Sequence, residues 1–304
     1  DTTTSIEPEL PGYLVSSQQS FYKSTALGYD FIVTKDSQIQ NPIQDAINRA
    51  NNKGGGLVLI GSGTYTMTTS LTLYDNVSLI GVDKDTVILD FADTSTNHII
   101  LDGAGRLSIE NLTIKNCNTT TGTIYIRDSN TGVAIRQCKF MDNTAGDGSG
   151  YDIFIDYNAT QCDLIDIESC ESSGAGTFVY LNNSLMRVNI ISNKVTSPLS
   201  YTFYANTTNG ARGLFTQNVI TDSIKSIFYG EFRFSRITEN LSRFLTQTST
   251  QPQLDFTTGA GNITITSNHF SQGGNIAMRS TTSGIIQISG NNFVIPIVRH
   301  ELSI

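Results

Sequence analysis

One short motif recurs between residues 109 and 293 and constrains the fold more than any other feature of the chain. Each copy has an apolar residue, two variable residues, a special position, one further residue and a second apolar residue, as in IRQCKF (135–140) and ISGNNF (288–293). Successive special positions lie 22 to 32 residues apart. This period is shorter than the roughly 40 residues of a propeller blade and is typical of a solenoid coil. The special positions are Leu112, Cys138, Cys170, Asn193, Asn218, Asn240, Asn268 and Asn291.

A second segment of each repeat alternates apolar and polar residues with a period of two, as in TIYIRD (123–128) and DIFIDY (152–157). This period predicts half-buried strands and not helices. Turn-forming runs such as DGSG and TTNG separate the strands. Strands that return to the same column in every repeat describe an all-β solenoid, a parallel β-helix, with about ten coils stacked at ~4.8 Å.

The column of special positions predicts an amide ladder, in which each Asn hydrogen-bonds the Asn above and below it. The alternative is that Asn simply tolerates turn conformations at these positions. Cys138 and Cys170 occupy the same column, so we expect small buried core residues there. The sequence leaves open whether the two thiols are free or joined as a disulfide.

The stretch IQDAINRANNKGGG (43–56) predicts one short helix. Ile43, Ala46, Ile47 and Ala50 form an apolar stripe at helical spacing, and Lys53-Gly54 is a typical helix end. The end of a solenoid exposes its core and its strand edges, so the helix is predicted to cap the first coil.

The order of helix, three glycines, LVLIGSGTYTM (57–67) and SLTLYDNVSLIGVDKDTVI (70–88) resembles the N-terminal coils of the pectate-lyase-like superfamily. That superfamily includes polysaccharide lyases, hydrolases and epimerases as well as bacteriophage tailspikes. The resemblance implies a right-handed single-stranded parallel β-helix with an N-terminal capping helix. We therefore predict an arm (1–40), a capping helix (41–53), a β-helix (54–295) and a C-terminal cap or tail (296–304).

Charge and composition exclude several classes of partner. The net charge is −8 and no Lys/Arg cluster is present, which argues against a nucleic-acid partner. No apolar run reaches the ~18 residues of a membrane span. The Cys and His spacings match no metal motif, so no metal is predicted. We predict an extracellular, cell-surface or virion location.

The catalytic motifs that the resemblance would imply are missing. The hydrolases would have paired aspartates and a Gly-His-Gly motif, but the three histidines lie in NHI, NHF and RHE. The lyases would have an Arg base beside acidic calcium ligands, and no such run occurs. The weak catalytic candidates are Asp152 and Asp156, expected to point outward ~13 Å apart on one strand, and Asp166 and Glu168, expected to share a face. No cofactor is predicted, with calcium only under the lyase alternative.

The outward positions of the second strand carry an aromatic stripe followed by a polar column, which predicts a contact surface. Either the aromatics stack on sugar rings and the polar groups hydrogen-bond a glycan, or the stripe packs against the N-terminal arm or another subunit. The expected assembly is a homo-oligomer, with a trimer favoured, or a larger particle or filament. The predicted function is a non-enzymatic, tailspike-like surface or virion protein that presents a rigid face to a glycan, a cell-surface receptor or neighbouring subunits. The alternative is a lyase, hydrolase or epimerase of an acidic polysaccharide. The predicted contact residues are Tyr125, Phe154, Tyr180, Tyr204, Phe228, Arg127, Asp156, Asn182 and Asn206.

Overall fold

The computed structural model describes residues 21–24, 29–33, 42–94, 98–118, 121–127, 131–143, 150–156, 162–182, 186–206, 211–244, 252–257, 260–271, 278–281 and 284–294.

One α-helix, Pro42–Asn52, precedes the solenoid. Its apolar stripe is fully buried against the first coil, as the spacing of Ile43, Ala46, Ile47 and Ala50 predicts. Gly54 follows the helix with a φ of 86°, a left-handed conformation that glycine adopts without strain. Gln44 also bonds the backbone N–H and carbonyl of Thr72, at 2.8 and 3.1 Å. The helix therefore closes the N-terminal end of the core.

The strands form three sheets, in which nearly all neighbouring strands are parallel. The first sheet contains Phe21–Ser24, Tyr29–Val33, Gly56–Ile60, Val77–Gly81, Leu107–Glu110, Thr131–Arg136, Cys162–Glu168, Met186–Ile191, Arg212–Thr216, Arg236–Thr238, Ile263–Thr266 and Ile286–Ser289. The second contains Gly63–Thr66, Val87–Thr94, Thr113–Cys117, Lys139–Met141, Glu171–Ser173, Lys194–Thr196, Val219–Ser223, Leu241–Phe244, His269–Ser271 and Asn292–Val294. The third contains Leu71–Leu73, Ile99–Asp102, Ile124–Arg127, Tyr151–Asp156, Thr177–Asn182, Phe203–Asn206, Phe228–Gly230, Leu254–Phe256 and Met278–Ser280.

The chain passes through the three sheets in turn and then returns to the first, one coil later. The fold is a right-handed parallel β-helix. It makes about 8 turns, slightly fewer than the ten coils expected from the repeats. Two segments of the predicted arm, Phe21–Ser24 and Tyr29–Val33, extend the first sheet beyond the capping helix, and only their mutual pairing is antiparallel. The other arm residues and the predicted tail (296–304) lie outside the described residues.

The amide ladder exists as the sequence predicts. Each amide Nδ2 donates to the Oδ1 of the next Asn at 3.0, 2.9, 2.9 and 2.8 Å, from Asn193 through Asn218, Asn240 and Asn268 to Asn291. Each of these Oδ1 atoms also accepts the backbone N–H of the preceding ladder residue. The ladder side chains thereby satisfy turn amides in each of these coils.

Cys138 and Cys170 continue the same column and are buried, as predicted. Both thiols are free. The Cys138 thiol donates to the Ile109 carbonyl at 3.4 Å and the Cys170 thiol to the Ile135 carbonyl at 3.6 Å. Burial raises the pKa of the Cys138 thiol well above its usual value.

In one strand of the third sheet, Phe228–Gly230, the alternation begins one residue later than the sequence suggests. In several strands of this sheet the residue before the first core position is also buried, so two successive residues lie in the interior, as in Asp152-Ile153 and Ile227-Phe228. The expectation that Asp152 points outward is therefore wrong, and Phe228 belongs to the core and not to the outer stripe. Strand pairing confirms this register, because Phe228 pairs with Phe203 and Tyr229 pairs with Tyr204.

Candidate functional site

Five aromatic rings stand in one outward column of the third sheet, on five consecutive coils. We call this column the aromatic ladder: Tyr125, Phe154, Tyr180, Tyr204 and Tyr229. Consecutive ring centroids lie 5.3, 4.9, 4.5 and 5.1 Å apart. The first three pairs are stacked, with interplanar angles of 25°, 11° and 23°. In-register parallel strands produce this arrangement, because their spacing of ~4.8 Å is close to the separation of stacked rings.

Two further tyrosines widen the ladder on one side. Tyr151 lies 4.7 Å from the ring of Tyr180, and Tyr201 stacks on Tyr229 at 4.2 Å and 10°. The Lys225 ammonium lies 5.2 Å from the centre of the Tyr201 ring, a cation–π distance.

A second column runs beside the ladder, two residues further along each strand. We call this set the polar column: Asp102, Arg127, Asp156, Asn182 and Asn206. Its members bond one another and the ladder's hydroxyl groups. Arg127 forms an ion pair with Asp102, and Asn182 donates to Asp156 at 2.9 Å.

The two columns share hydrogen bonds along the strip. The Tyr125 hydroxyl donates to Asp156 at 3.1 Å, and Asn206 donates to the Tyr180 hydroxyl at 3.1 Å. Burial and the Asp156 carboxylate raise the pKa of Tyr125. Burial, together with the neighbouring Tyr180, raises the pKa of Tyr204 to about 12. These two phenols therefore remain protonated hydrogen-bond donors at neutral pH.

The spacing of the ladder's rings bears on the expectation that their faces stack on sugar rings. A sugar ring inserted between two aromatic rings would need about 3.5–4.0 Å on each of its two sides. The observed centroid spacings of 4.5 to 5.3 Å leave no such room. Because the ladder's rings cover one another's faces, the strip presents ring edges, hydroxyl groups, amides and charged groups to solvent.

Sequence reasoning placed four of the five ladder residues correctly and missed Tyr229. The sequence pattern favours Tyr229 as a core residue and Phe228 as the outward one, because Ile227 and Tyr229 alternate like the core pairs of other coils. Only the pairing of Tyr229 with Tyr204 reveals the shift. The ladder's column continues beyond Tyr229 to Asp255 and Arg279, whose Nε donates to the buried Asp255 carboxylate at 2.9 Å.

The four weak catalytic candidates do not form one cleft. Asp152 lies inside the solenoid, where it accepts from Asn143 at 3.1 Å and from the Ser172 hydroxyl, and burial raises its pKa to about 7. Asp156 belongs to the polar column of the third sheet. Asp166 and Glu168 lie on the first sheet, where Arg136 bridges them at 3.6 and 3.3 Å.

Within the part of the chain that the structure describes, no group of three or more His, Cys, Asp and Glu residues is arranged to hold a metal ion. No described helix is long and apolar enough to cross a membrane.

Comparison with known proteins supports the fold. No family model matches the sequence, and no curated protein is similar to it at a significant level. Among solved structures, a double mutant of the tailspike protein of E. coli bacteriophage HK620 in complex with a pentasaccharide matches with a TM-score of 0.50 and 11% identity. The match covers 83% of this chain and 62% of that one, so the chain spans about three fifths of the tailspike's length.

Two enzymes of the same architecture also match. The A-module of the mannuronan C-5 epimerase AlgE4 of Azotobacter vinelandii has a TM-score of 0.38 and 16% identity, over 84% of this chain and 91% of that one. The catalytic unit of a GH87 α-1,3-glucanase from Streptomyces thermodiastaticus has a TM-score of 0.44 and 13% identity, over 84% and 61%. At these identities the likeness extends to the fold alone.

Proposed function

We propose that this protein is a β-helical surface or virion protein whose third sheet binds a glycan. The observation that carries the proposal is the strip formed by the aromatic ladder and the polar column, each of which is continuous and in register over five coils and which share four of them. Tyrosine hydroxyl groups, amides, a carboxylate and a guanidinium follow one another at the ~4.8 Å spacing of the strands. A repeating array of donors and acceptors suits a repeating, hydroxyl-rich polymer.

The proposed contact is edge-on. Sugar hydroxyl groups would bond Asn182, Asn206 and the tyrosine hydroxyls, while the apolar faces of sugars lie across ring edges. The strip is already joined by internal hydrogen bonds, which hold its side chains in fixed positions. A preorganised surface loses little side-chain entropy on binding, which favours affinity without a deep pocket. The similarity to the tailspike structure, which covers 62% of that chain, supports the fold and carries no argument for glycan binding.

The chain offers a matched pair of amides for the test. Asn182 donates to Asp156 at 2.9 Å on the third sheet, and Asn189 donates to Asp166 at 3.0 Å on the first sheet. Both are half-buried amides on the outer face of a strand. They differ in the face of the solenoid on which they lie.

Binding can be screened on an array of bacterial surface polysaccharides and plant and algal polysaccharides, followed by calorimetry with the best oligosaccharide. We expect Asn182→Ala to weaken binding about tenfold, equivalent to about 1.4 kcal/mol, and Asn189→Ala to leave it unchanged. Equal effects of the two variants, or no binding on the array, would contradict the proposal.

The same samples test the enzymatic alternative. Reducing ends or unsaturated products that accumulate with the wild-type protein, with or without calcium, would favour a polysaccharide lyase or hydrolase over a binding protein. Proton exchange at the sugar C5 position, followed by NMR in deuterated water, would favour an epimerase.

A further inference from the structure

The middle of the strip formed by the aromatic ladder and the polar column is uncharged. Two adjacent coils supply Tyr180 with Asn182 and Tyr204 with Asn206, which pair in register. The Asn206 amide donates to the Tyr180 hydroxyl at 3.1 Å and to the Asn182 amide oxygen at 3.4 Å. The short segments that follow these two strands, NSL and TTNG, also contain no charged residue. The centre of the strip therefore offers neutral hydrogen-bonding groups and no fixed charge.

The polar column carries an excess of one negative charge, which is located at Asp156. The Asp156 carboxylate accepts hydrogen bonds from two uncharged groups, the Asn182 amide at 2.9 Å and the Tyr125 hydroxyl at 3.1 Å. Arg127, one coil earlier, forms its ion pair with Asp102. Two carboxylates and one guanidinium thus make this end of the column negative, in a chain whose net charge is −8.

Two other cations beside the ladder are not placed to offset this charge. The Lys225 ammonium lies over the Tyr201 ring. Tyr201 precedes the strand Phe203–Asn206 and the polar column lies at the end of that strand, so Lys225 is on the opposite side of the ladder. The Arg279 guanidinium donates to the buried Asp255 carboxylate at 2.9 and 2.5 Å. The polar column therefore contains one guanidinium, which already has a carboxylate partner.

A carboxylate at the position of Asp156 favours hydroxyl groups and disfavours anions. An ionised carboxyl group has about four acceptor sites, and Asp156 uses two of them within the strip. A sugar hydroxyl can donate to a remaining site in a charge-assisted hydrogen bond. A carboxylate or sulfate group on a ligand has no proton to donate, and its charge is repelled by that of Asp156.

We propose that the strip binds an uncharged polysaccharide in preference to an acidic one, and that Asp156 determines this specificity. The inference rests on the proposed glycan-binding function. A sugar unit is about as long as one strand spacing of ~4.8 Å, so a polysaccharide that follows five coils covers about 19 Å. If every sugar or every second sugar carried a carboxylate, at least one of these charges would lie within about 8 Å of Asp156. Repulsion at that distance, partly screened by water, weakens binding about fivefold.

The test compares uncharged probes (dextran, galactomannan and xyloglucan) with acidic ones (alginate, polygalacturonate and hyaluronan) on the polysaccharide array. The best uncharged ligand is then compared with a derivative whose primary alcohols are oxidised to carboxylates. We expect the derivative to bind about fivefold more weakly, or worse, in about 50 mM salt, and the difference to shrink below about twofold in about 500 mM salt, which screens the repulsion. An acidic best ligand, equal binding of the derivative, or a difference that salt does not change would overturn the inference.

The outcomes separate this inference from the proposed function. If an acidic polysaccharide binds best and Asn182→Ala weakens its binding, the glycan-binding function stands and the inferred specificity is wrong. If nothing on the array binds, both are wrong.

A matched pair of variants tests the role of Asp156. Asp156→Asn removes the charge and keeps the shape of the side chain. Asp166→Asn makes the same change on the first sheet, where Asp166 accepts a similar hydrogen bond from Asn189 at 3.0 Å. We expect Asp156→Asn to reduce the preference for the uncharged ligand by about threefold or more, and Asp166→Asn to leave it unchanged. Equal effects of the two variants would overturn the assignment to Asp156. Circular dichroism confirms folding, and the salt series on the wild-type protein decides the preference if Asp156→Asn does not fold.

Discussion

Replacing one buried rung of the amide ladder should destabilise the protein far more than replacing the terminal rung. Asn218 donates to the Asn240 Oδ1 and to the Ile190 carbonyl, both at 2.9 Å. Its own Oδ1 accepts the Asn193 backbone N–H at 3.1 Å and the Asn193 amide at 3.0 Å. The side chain is completely buried, so water cannot replace these bonds.

The magnitude follows from these groups. In Asn218→Ala the buried backbone N–H of Asn193 loses its acceptor, which costs about 1–3 kcal/mol. The other lost hydrogen bonds and the small cavity add about 1–2 kcal/mol more. We therefore expect the free energy of unfolding to fall by about 2–5 kcal/mol.

Asn291 provides the matched control. Its Oδ1 accepts the Asn268 backbone N–H and amide at 2.9 and 2.8 Å, and its amide donates to the Ile265 carbonyl at 2.7 Å and, in place of a further Asn, to the Ser289 carbonyl at 3.1 Å. It lies in the last described coil and is only half-buried, so water can satisfy the groups that Asn291→Ala leaves behind. We expect that variant to lose about 1 kcal/mol.

Urea unfolding followed by circular dichroism, with the midpoint and slope fitted for each variant, measures both losses. Equal losses for the two variants would refute the reasoning, because both leave the backbone N–H of the preceding rung without its acceptor and only Asn291→Ala does so within reach of water. So would a loss below about 1 kcal/mol for Asn218→Ala, since a buried orphaned donor must cost at least that much.

Two further predictions concern single positions. Gly230 has a φ of 114°, and a Cβ there would lie 1.9 Å from the Ala205 carbonyl oxygen. Gly230→Ala should therefore lower the free energy of unfolding by about 3 kcal/mol or more, whereas Gly54→Ala, with a φ of 86° and open space, should lower it by about 1 kcal/mol. Equal urea midpoints for these two variants would contradict the steric argument. Burial raises the pKa of Asp152 to about 7. The pKa of an Asp carboxyl in the unfolded chain is about 3.9. Protonation of the Asp152 carboxyl therefore stabilises the folded protein fully below pH ~4, and this stabilisation, about 4 kcal/mol at most, is lost as the pH rises through about 7. We expect Asp152→Asn to remove this part of the pH dependence and Asp166→Asn to retain it. Parallel curves of unfolding free energy against pH for the wild type and Asp152→Asn would contradict this prediction.

Much of the architecture could be predicted because a solenoid repeats its physical constraints. The Asn column, the buried cysteines and the helical stripe of Ile43, Ala46, Ile47 and Ala50 all stand where the sequence pattern places them. Each coil must satisfy the same turn amides and bury the same apolar column, so the pattern appears several times and independent copies support one another.

The site was predicted only in part, because its register depends on pairing between coils. Period-two alternation distinguishes the two faces of a strand, but it does not identify which face points into the core when the residue before the strand is also buried. Ile227 and Phe228 are both apolar and both buried, so the local sequence around Tyr229 fits either register. The same corner holds Asp152 inside, where Ser172 and Asn143 supply its hydrogen bonds.

The sequence by itself determined the β-helix, its capped beginning and its ladder, because these depend on which residue types recur at which spacing. Only the tertiary structure decided that Tyr229 completes the aromatic ladder, that ring faces are covered by other rings, and that Asp152 is separated from Asp156. Those outcomes depend on distances between coils and on which side of a strand meets the core. Neither quantity is local to the residues concerned, and both follow from how one coil stacks on the next.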